Sequence, residues 1–175
     1  MLRIDVLPHR DARVAARIHA VMVPAHAQEA ALLRVAHFPP LERTPEDLRC
    51  SREFFLGAFA GAELVGVLSL GPDDEPAQIH VSMLVVDPSH QRRGVGRSLL
   101  VEALRRGGGM AFSVSTGAVN APALALYAAL GFVAYRHGTI DGGRIALVKL
   151  RRAACSPAVE APAHAEAAAA PAAMP

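Results

Sequence analysis

The run Gln91-Arg92-Arg93-Gly94-Val95-Gly96 constrains this chain more than any other stretch, because of what flanks it. Upstream, Ile79 to Val86 is mostly apolar and stops at Asp87-Pro88, which reads as a strand. Downstream, Arg97-Ser98-Leu99-Leu100-Val101-Glu102-Ala103-Leu104 reads as a helix, from about Arg93 to Arg106. The first N–H groups of a helix have no intrahelical partner, and the dipole places partial positive charge there. Glycines let the backbone approach a ligand with no Cβ in the way. A strand passing to a helix through such a turn is suited to phosphate. A Rossmann turn fits less well, since the third glycine and a preceding βαβ unit are missing; a Walker loop is excluded by the lack of a Gly-Lys-Ser/Thr ending.

The 175 residues suit one domain with a real core, and 52% apolar with 19% charged residues describes a soluble globular chain. A net charge of +2, no Trp and no basic stretch interleaved with aromatics argue against nucleic acid or an anionic membrane as partner. The start lacks the apolar core of a signal peptide, and no run is long enough to span a bilayer. Cys50 and Cys155 are too far apart in sequence to suggest a disulfide framework or metal cluster. The expectation is a reduced, cytoplasmic protein without a metal.

Leu2 to Leu7 is expected as a strand, followed by a helix carrying Val14, Ile18, Val21 and Met22 at helical spacing. Asp11 suits its opening turn and Pro24 is expected to close it, with Ala25 to Val35 as a second, shorter helix. Phe38 to Pro45, with three prolines, is expected as a loop. Phe54 to Ala60 and Glu63 to Leu70 form a hairpin at Gly61-Ala62, and Gly71 to Pro76 is a polar turn. Gly107-Gly108-Gly109 stops the helix, and Met110 to Ser115 is a strand. Ala123, Leu126, Tyr127 and Leu130 place a helix over Asn120 to Leu130, closed by Gly131. Phe132 to Ile140 and Arg144 to Leu150 make a last hairpin. From Ser156 the final 20 residues hold 10 Ala and 4 Pro, so residues 153–175 are expected to be a disordered tail.

Val86-Asp87-Pro88, Gln91 to Gly96, Asn120, and Tyr127 ahead of Gly131-Phe132 together resemble the GNAT N-acetyltransferase superfamily. The resemblance covers roughly residues 2 to 150. It implies an α/β (α+β) domain over 1–152: a mixed, largely antiparallel, splayed sheet of about seven strands with helices on both faces. Residues 79–132 would be the acetyl-CoA-binding core. The backbone of Leu84, Val85 and Val86 would pair with the pantetheine arm, and a bulge nearby would splay this strand from Met110–Ser115. Gln91, Arg92, Arg93, Gly94, Val95, Gly96, Arg97 and Ser98 would hold the phosphates, with Arg92 or Arg93 on the 3′-phosphate.

Asn120 would hydrogen-bond pantetheine or substrate, or simply cap its helix. Tyr127 would protonate the departing CoA thiolate, its alternative being a core tyrosine. Where many members carry a strand glutamate as base, this chain has none; His80 would take the proton directly or through water, or is only a half-exposed histidine at a sheet edge. Acceptor selectivity would lie in Val23 to Glu46 and Arg136 to Arg144. There Glu29, Glu42, Glu46 and Asp47 would attract a cationic amine or are solvated charges, and Phe38 and Leu41 would wall the site or anchor the loop. The implied activity is acetyl transfer to a primary amine, with a small molecule as acceptor. The alternatives are a protein N-terminus or lysine, and a non-catalytic acyl-CoA sensor. The terminal hairpin is a candidate homodimer surface.

Overall fold

The computed structural model describes residues 2–155; the expected tail from Ser156 onward lies outside them. The chain runs β1 (Leu2–Val6), α1 (Ala12–Leu33), α2 (Pro45–Cys50), β2 (Phe54–Ala60), β3 (Glu63–Pro72), β4 (Gln78–Val86), α3 (Val95–Arg106), β5 (Ala111–Gly117), α4 (Ala121–Ala128), β6 (Val133–Ile140) and β7 (Ile145–Arg152). Its seven strands form one sheet in the order β1-β2-β3-β4-β5-β7-β6. All neighbours are antiparallel except β4 and β5. Among the described residues no helix is long and apolar enough to cross a membrane.

Helices cover both faces. Ile18, Met22 and Ala25 of α1, with Leu48 of α2, pack on Phe55, Val67, Met83 and Val85. On the other face Val95, Leu99, Leu100 and Ala103 of α3 and Tyr127 of α4 pack on Leu68, Val81, Phe112 and Val114. Gly66 lets α3 sit low, since a Cβ there would lie 2.8 Å from Val95 Cγ1.

Two expectations near the start are corrected. Pro24 lies inside α1 and does not close it; residues 25–33 continue the same helix. The buried stripe Ala15, Ile18, Met22, Ala25 runs straight through the proline, and its burial outweighs one missing helical hydrogen bond. The second helix lies instead directly after the stretch expected as loop, which it overlaps only at Pro45. After a 3-10 turn at Pro39–Glu42, Thr44 opens α2 with a capping box: Asp47 N–H donates to Thr44 Oγ1 at 3.2 Å, and Thr44 N–H to Asp47 Oδ2 at 2.7 Å. Thr44-Pro45-Glu46-Asp47 is itself a helix-start signature, with proline at the first helical position.

The splay is made by one residue. Leu84 pairs with Leu68 and Met83 with Ser69, but Val81 pairs with Leu70, so Ser82 is an extra residue on β4. The bulge inverts which residues face which layer. Ile79 and Val81 join the α3 side, whereas beyond it Met83 and Val85 join the α1 side, and Leu84 and Val86 take the α3 side. Pairing of β4 with β5 runs from Gln78↔Ala111 to Val81↔Val114 and ends there. From that point the two strands diverge into a slot.

Candidate active site

The slot is the floor of a cavity of about 520 Å³, walled by Gln28 and Glu29 of α1, Leu84 to Val86 of β4, the loop before α3, and Asn120, Leu126 and Tyr127 of α4. The loop contributes Gln91, Arg92, Gly94, Val95, Gly96 and Arg97; Arg93 and Ser98 are not in the wall. Gln91 ties the loop to its surroundings, its Nε2 donating to Gln28 Oε1 at 2.7 Å and to the Val86 carbonyl at 3.2 Å.

The N-terminus of α3 differs from the other three. Asp11, Thr44 and Asn120 cap α1, α2 and α4 through side-chain oxygens, but the N-cap of α3 is Gly94, which has none. The Gly94 carbonyl accepts from Ser98 N–H at 2.9 Å, so helical bonding begins at Ser98. Val95, Gly96 and Arg97 therefore present first-turn N–H groups at the cavity wall with no side-chain acceptor from the cap. Arg92 at φ 61° and Gly94 at φ 81° are both left-handed, which coils the loop tightly ahead of the helix. An oxyanion supplies what this helix end lacks.

Tyr127 is buried against Phe132, with ring centroids 5.7 Å apart. Burial, and then the charge of Glu29, push its hydroxyl well above the usual phenol range. It stays protonated at neutral pH, the form in which a phenol can donate to an anion beside it. Asn120 serves two partners: Oδ1 accepts from Ala123 N–H at 3.2 Å as the cap of α4, and Nδ2 donates to Glu29 Oε1 at 3.1 Å. Gly117 allows that meeting, because a Cβ there would lie 2.4 Å from Leu33 Cδ2 and push the end of α1 away.

Of the four acidic residues expected to attract an amine, Glu29 alone lines this cavity. Glu42 bonds His37, Glu46 bonds Arg49, and Asp47 is the reciprocal member of the α2 capping box. Phe38 is buried and packs with Leu41 beside Ala30 and Ile145, so both anchor the loop.

His80 does not line the cavity of Tyr127. It precedes the bulge and has the opposite parity to Val81, which sends its side chain to the α1 face. It lines a second cavity, also about 520 Å³, with Asp73, Asp74, Ser115, Lys149 and Arg136 to Ile140 of β6. His80 stands one residue before, and Ser115 one residue after, the last β4–β5 pair. Burial of the imidazole, opposed by the nearby Asp73 carboxylate, lowers its pKa below the ordinary histidine value. Asp73, Ser113 and Lys149 are not among the site residues expected from the sequence. Asp73 lies in the expected polar turn and Lys149 in the last expected strand, and the pairing of β5 with β7 brings them together.

An uncapped helix end, an extended slot and a buried phenol thus line one cavity, with an imidazole on the opposite face of the sheet. The profile of the Acetyltransferase (GNAT) family matches residues 25–132. The UPF0157 protein YqkA of Bacillus subtilis is 32% identical over 130 residues, 74% of this chain and 37% of that protein. The N-alpha-acetyltransferase RimI of Mycobacterium tuberculosis is 38% identical over 90 residues, 49% of this chain and 56% of RimI. The chain thus spans little more than half the length of RimI and about a third of YqkA. Among solved structures, the ribosomal-protein-S18-alanine N-acetyltransferase of Escherichia coli superposes with a TM-score of 0.70 at 19% identity, covering 92% of this chain and 99% of that one. The PaiA N-acetyltransferase of Thermoplasma acidophilum, solved in complex with coenzyme A, gives 0.67 at 18%, covering 87% and 99%. This chain belongs to the GNAT acetyltransferase family.

Proposed function

We propose that the protein moves an acetyl group from acetyl-CoA to a primary amine by direct attack within a ternary complex. The observation that carries this reading is the placement of Tyr127 and His80 on opposite faces of the sheet, Tyr127 in the wall of the slot and His80 one residue before Val81, where the slot closes. Acetyl transfer to an amine needs a proton removed from the attacking nitrogen and another delivered to the departing sulfur. A site that separates the two groups across the thioester serves both without a clash.

The chain fits acetyl-CoA through its own residues. The uncapped amides of Val95 to Arg97 and the coiled Arg92–Gly94 turn suit the pyrophosphate, and Arg92 and Arg97 in the wall suit its charge and the 3′-phosphate. Beyond the last pair with β5, the backbone of Leu84 to Val86 is available on that side for the pantetheine amides. The same strand supplies N–H groups for the carbonyl oxygen as negative charge gathers on it. His80 takes the amine proton from the α1 face, and Tyr127 protonates the thiolate from the α3 face. Glu29, held by Asn120, draws the amine toward the slot while it is cationic.

A small-molecule amine is the first acceptor to test. A peptide α-amine is the second, favoured by the similarity to RimI over 90 residues. Thiol release from acetyl-CoA, measured with amines, amino acids and peptides, tests the reading. We expect release with at least one primary amine and none with its acetylated form. Acetyl-CoA binding without release for any acceptor would leave a sensor in place of an enzyme.

A further inference from the structure

The second cavity contains a buried charge that the roles above leave unused. The Asp73 side chain is 0% exposed although it comes from the turn between β3 and β4. Its Oδ1 lies 2.6 Å from Lys149 Nζ on β7. Its Oδ2 accepts from the Ser113 hydroxyl on β5 and stands 3.4 Å from His80 Nδ1 on β4. The Ser113 hydroxyl in turn lies 2.8 Å from His80 Nδ1. One carboxylate thus gathers groups from three strands at the apex of the slot.

Donor and acceptor chemistry sets the polarity of this chain of groups. A carboxylate paired with a lysine ammonium can only accept. Ser113 must therefore spend its single O–H on Asp73, which leaves a lone pair toward His80. For the short contact between Ser113 Oγ and Nδ1 to be a hydrogen bond, Nδ1 must carry the proton. The imidazole is then the Nδ1–H tautomer, and Nε2 keeps its lone pair.

We infer that Asp73 is a positioning residue for the acetyl transfer proposed above: through Ser113 it fixes His80 as the Nδ1–H tautomer and presents Nε2 as the base to an amine entering the second cavity. The inference rests on the acetyl-transfer reading. In the step, the amine nitrogen bonds the acetyl carbon and its proton passes to Nε2. The carbon–sulfur bond breaks, and the thiolate takes the Tyr127 proton. The imidazolium formed on His80 is balanced by the Asp73 charge.

A purely structural role for Asp73 would need only its bond to Lys149, which fastens the turn to β7. Lys149, however, is also bonded by Asp74, and Glu75 lies 3.9 Å from it, so the ammonium does not depend on Asp73 alone. Burial works against that ammonium, but its bonds to Asp73 and Asp74 win and hold it above the ordinary lysine range. The charged or titratable groups around His80 are Asp73 and Asp74 from the β3–β4 turn, Lys149 from β7, and Arg136 and His137 from β6; β5 contributes the neutral Ser113 and Ser115.

The test uses the full chain, Asp73→Asn and Ser113→Ala, with His80→Gln as background. Ser113→Ala leaves the Asp73–Lys149 pair intact, so it reads the relay even if Asp73→Asn disturbs folding. Nitrogen-15 spectra of the His80 ring are expected to show the Nδ1–H tautomer in the unsubstituted protein and a mixture in both variants. With an amine that supports thiol release, both variants are expected to lose about tenfold to hundredfold in kcat. The acid limb of the pH profile should shift, and acetyl-CoA binding should be unchanged. In the His80→Gln background neither substitution should cost anything further, because the residues act as one unit. An Nε2–H tautomer in the unsubstituted protein, or undiminished release by both variants, overturns the assignment of Asp73 alone. No thiol release from the unsubstituted protein with any amine overturns acetyl transfer itself.

Discussion

The two cavities have the same volume, about 520 Å³, and share no lining residue, and their walls differ in kind. The first combines apolar side chains of β4 and α4 with unspent helix amides, and its charged groups, Glu29, Arg92 and Arg97, stand at separate points of the wall. The second is crowded with charge already paired within the protein: Asp73 and Asp74 with Lys149, and Arg136 with Asp74 and Glu75. A cavity of the first kind binds through backbone geometry, which many sequences can supply. One of the second kind favours a ligand that leaves the buried Asp73–Lys149 pair intact, since breaking a buried pair is costly. On the proposed reading the donor is held by the generic cavity and the acceptor is chosen by the particular one.

Removing the phenol tests the first cavity most severely. Tyr127→Phe keeps the ring and its packing on Phe132 but has no proton to give. We expect kcat to fall by roughly 10² or more, while the KM for acetyl-CoA stays within about twofold. Unchanged turnover at saturating substrates would remove Tyr127 from the chemistry. Gly94→Val separates the cavities. At φ 81° a branched residue is strained in the left-handed region, at a cost of about 1–2 kcal/mol. Calorimetry should show acetyl-CoA binding weakened about tenfold, with the His80 ring titration unaltered. Equal binding would mean that the turn does not grip the phosphates.

The pH profile sharpens the contrast without a mutation. A base works in its neutral form, and burial lowers the pKa of His80, so the neutral form persists to lower pH than for a free histidine. The acid limb of kcat/KM should therefore fall below the ordinary histidine value of about 6.5. The Tyr127 hydroxyl is shifted upward, so it should add no alkaline limb near the ordinary phenol value of about 10. An acid limb in the carboxylate range that survives His80→Gln would transfer the base to Glu29.

The smallest effect is expected at Asn120, in the wall of the first cavity. Asn120→Ala removes the cap of α4, at about 1 kcal/mol, and should lower Tm by roughly 2–4 °C. It also frees Glu29, so the KM of the amine should rise. A weakened acetyl-CoA Kd with an unchanged amine KM would instead assign the Asn120 amide to pantetheine.

Several features were legible because they are written in contiguous residues. Gln91 to Gly96 encodes its own left-handed coil and uncapped helix start, and Asn120 encodes its own cap. The Thr44–Asp47 capping box is equally local, although prolines surround it. Pro24 misled because proline's effect is local while the burial that overrides it is not; Ile18, Met22 and Ala25 are held by β2, β3 and β4. The parity of His80 turned on Ser82, one extra residue that alternation along β4 does not reveal.

By itself, then, the sequence determined the cavity proposed for the donor: a strand, a glycine-bearing turn and a helix, all written in contiguous residues. The tertiary structure alone decided the cavity proposed for the acceptor. Asp73 meets Ser113 forty positions away and Lys149 seventy-six away, and Glu29 meets Asn120 ninety-one away. Whether a charge in a turn is solvated or buried depends on which strands arrive over it, and so do the tautomer and reach of His80.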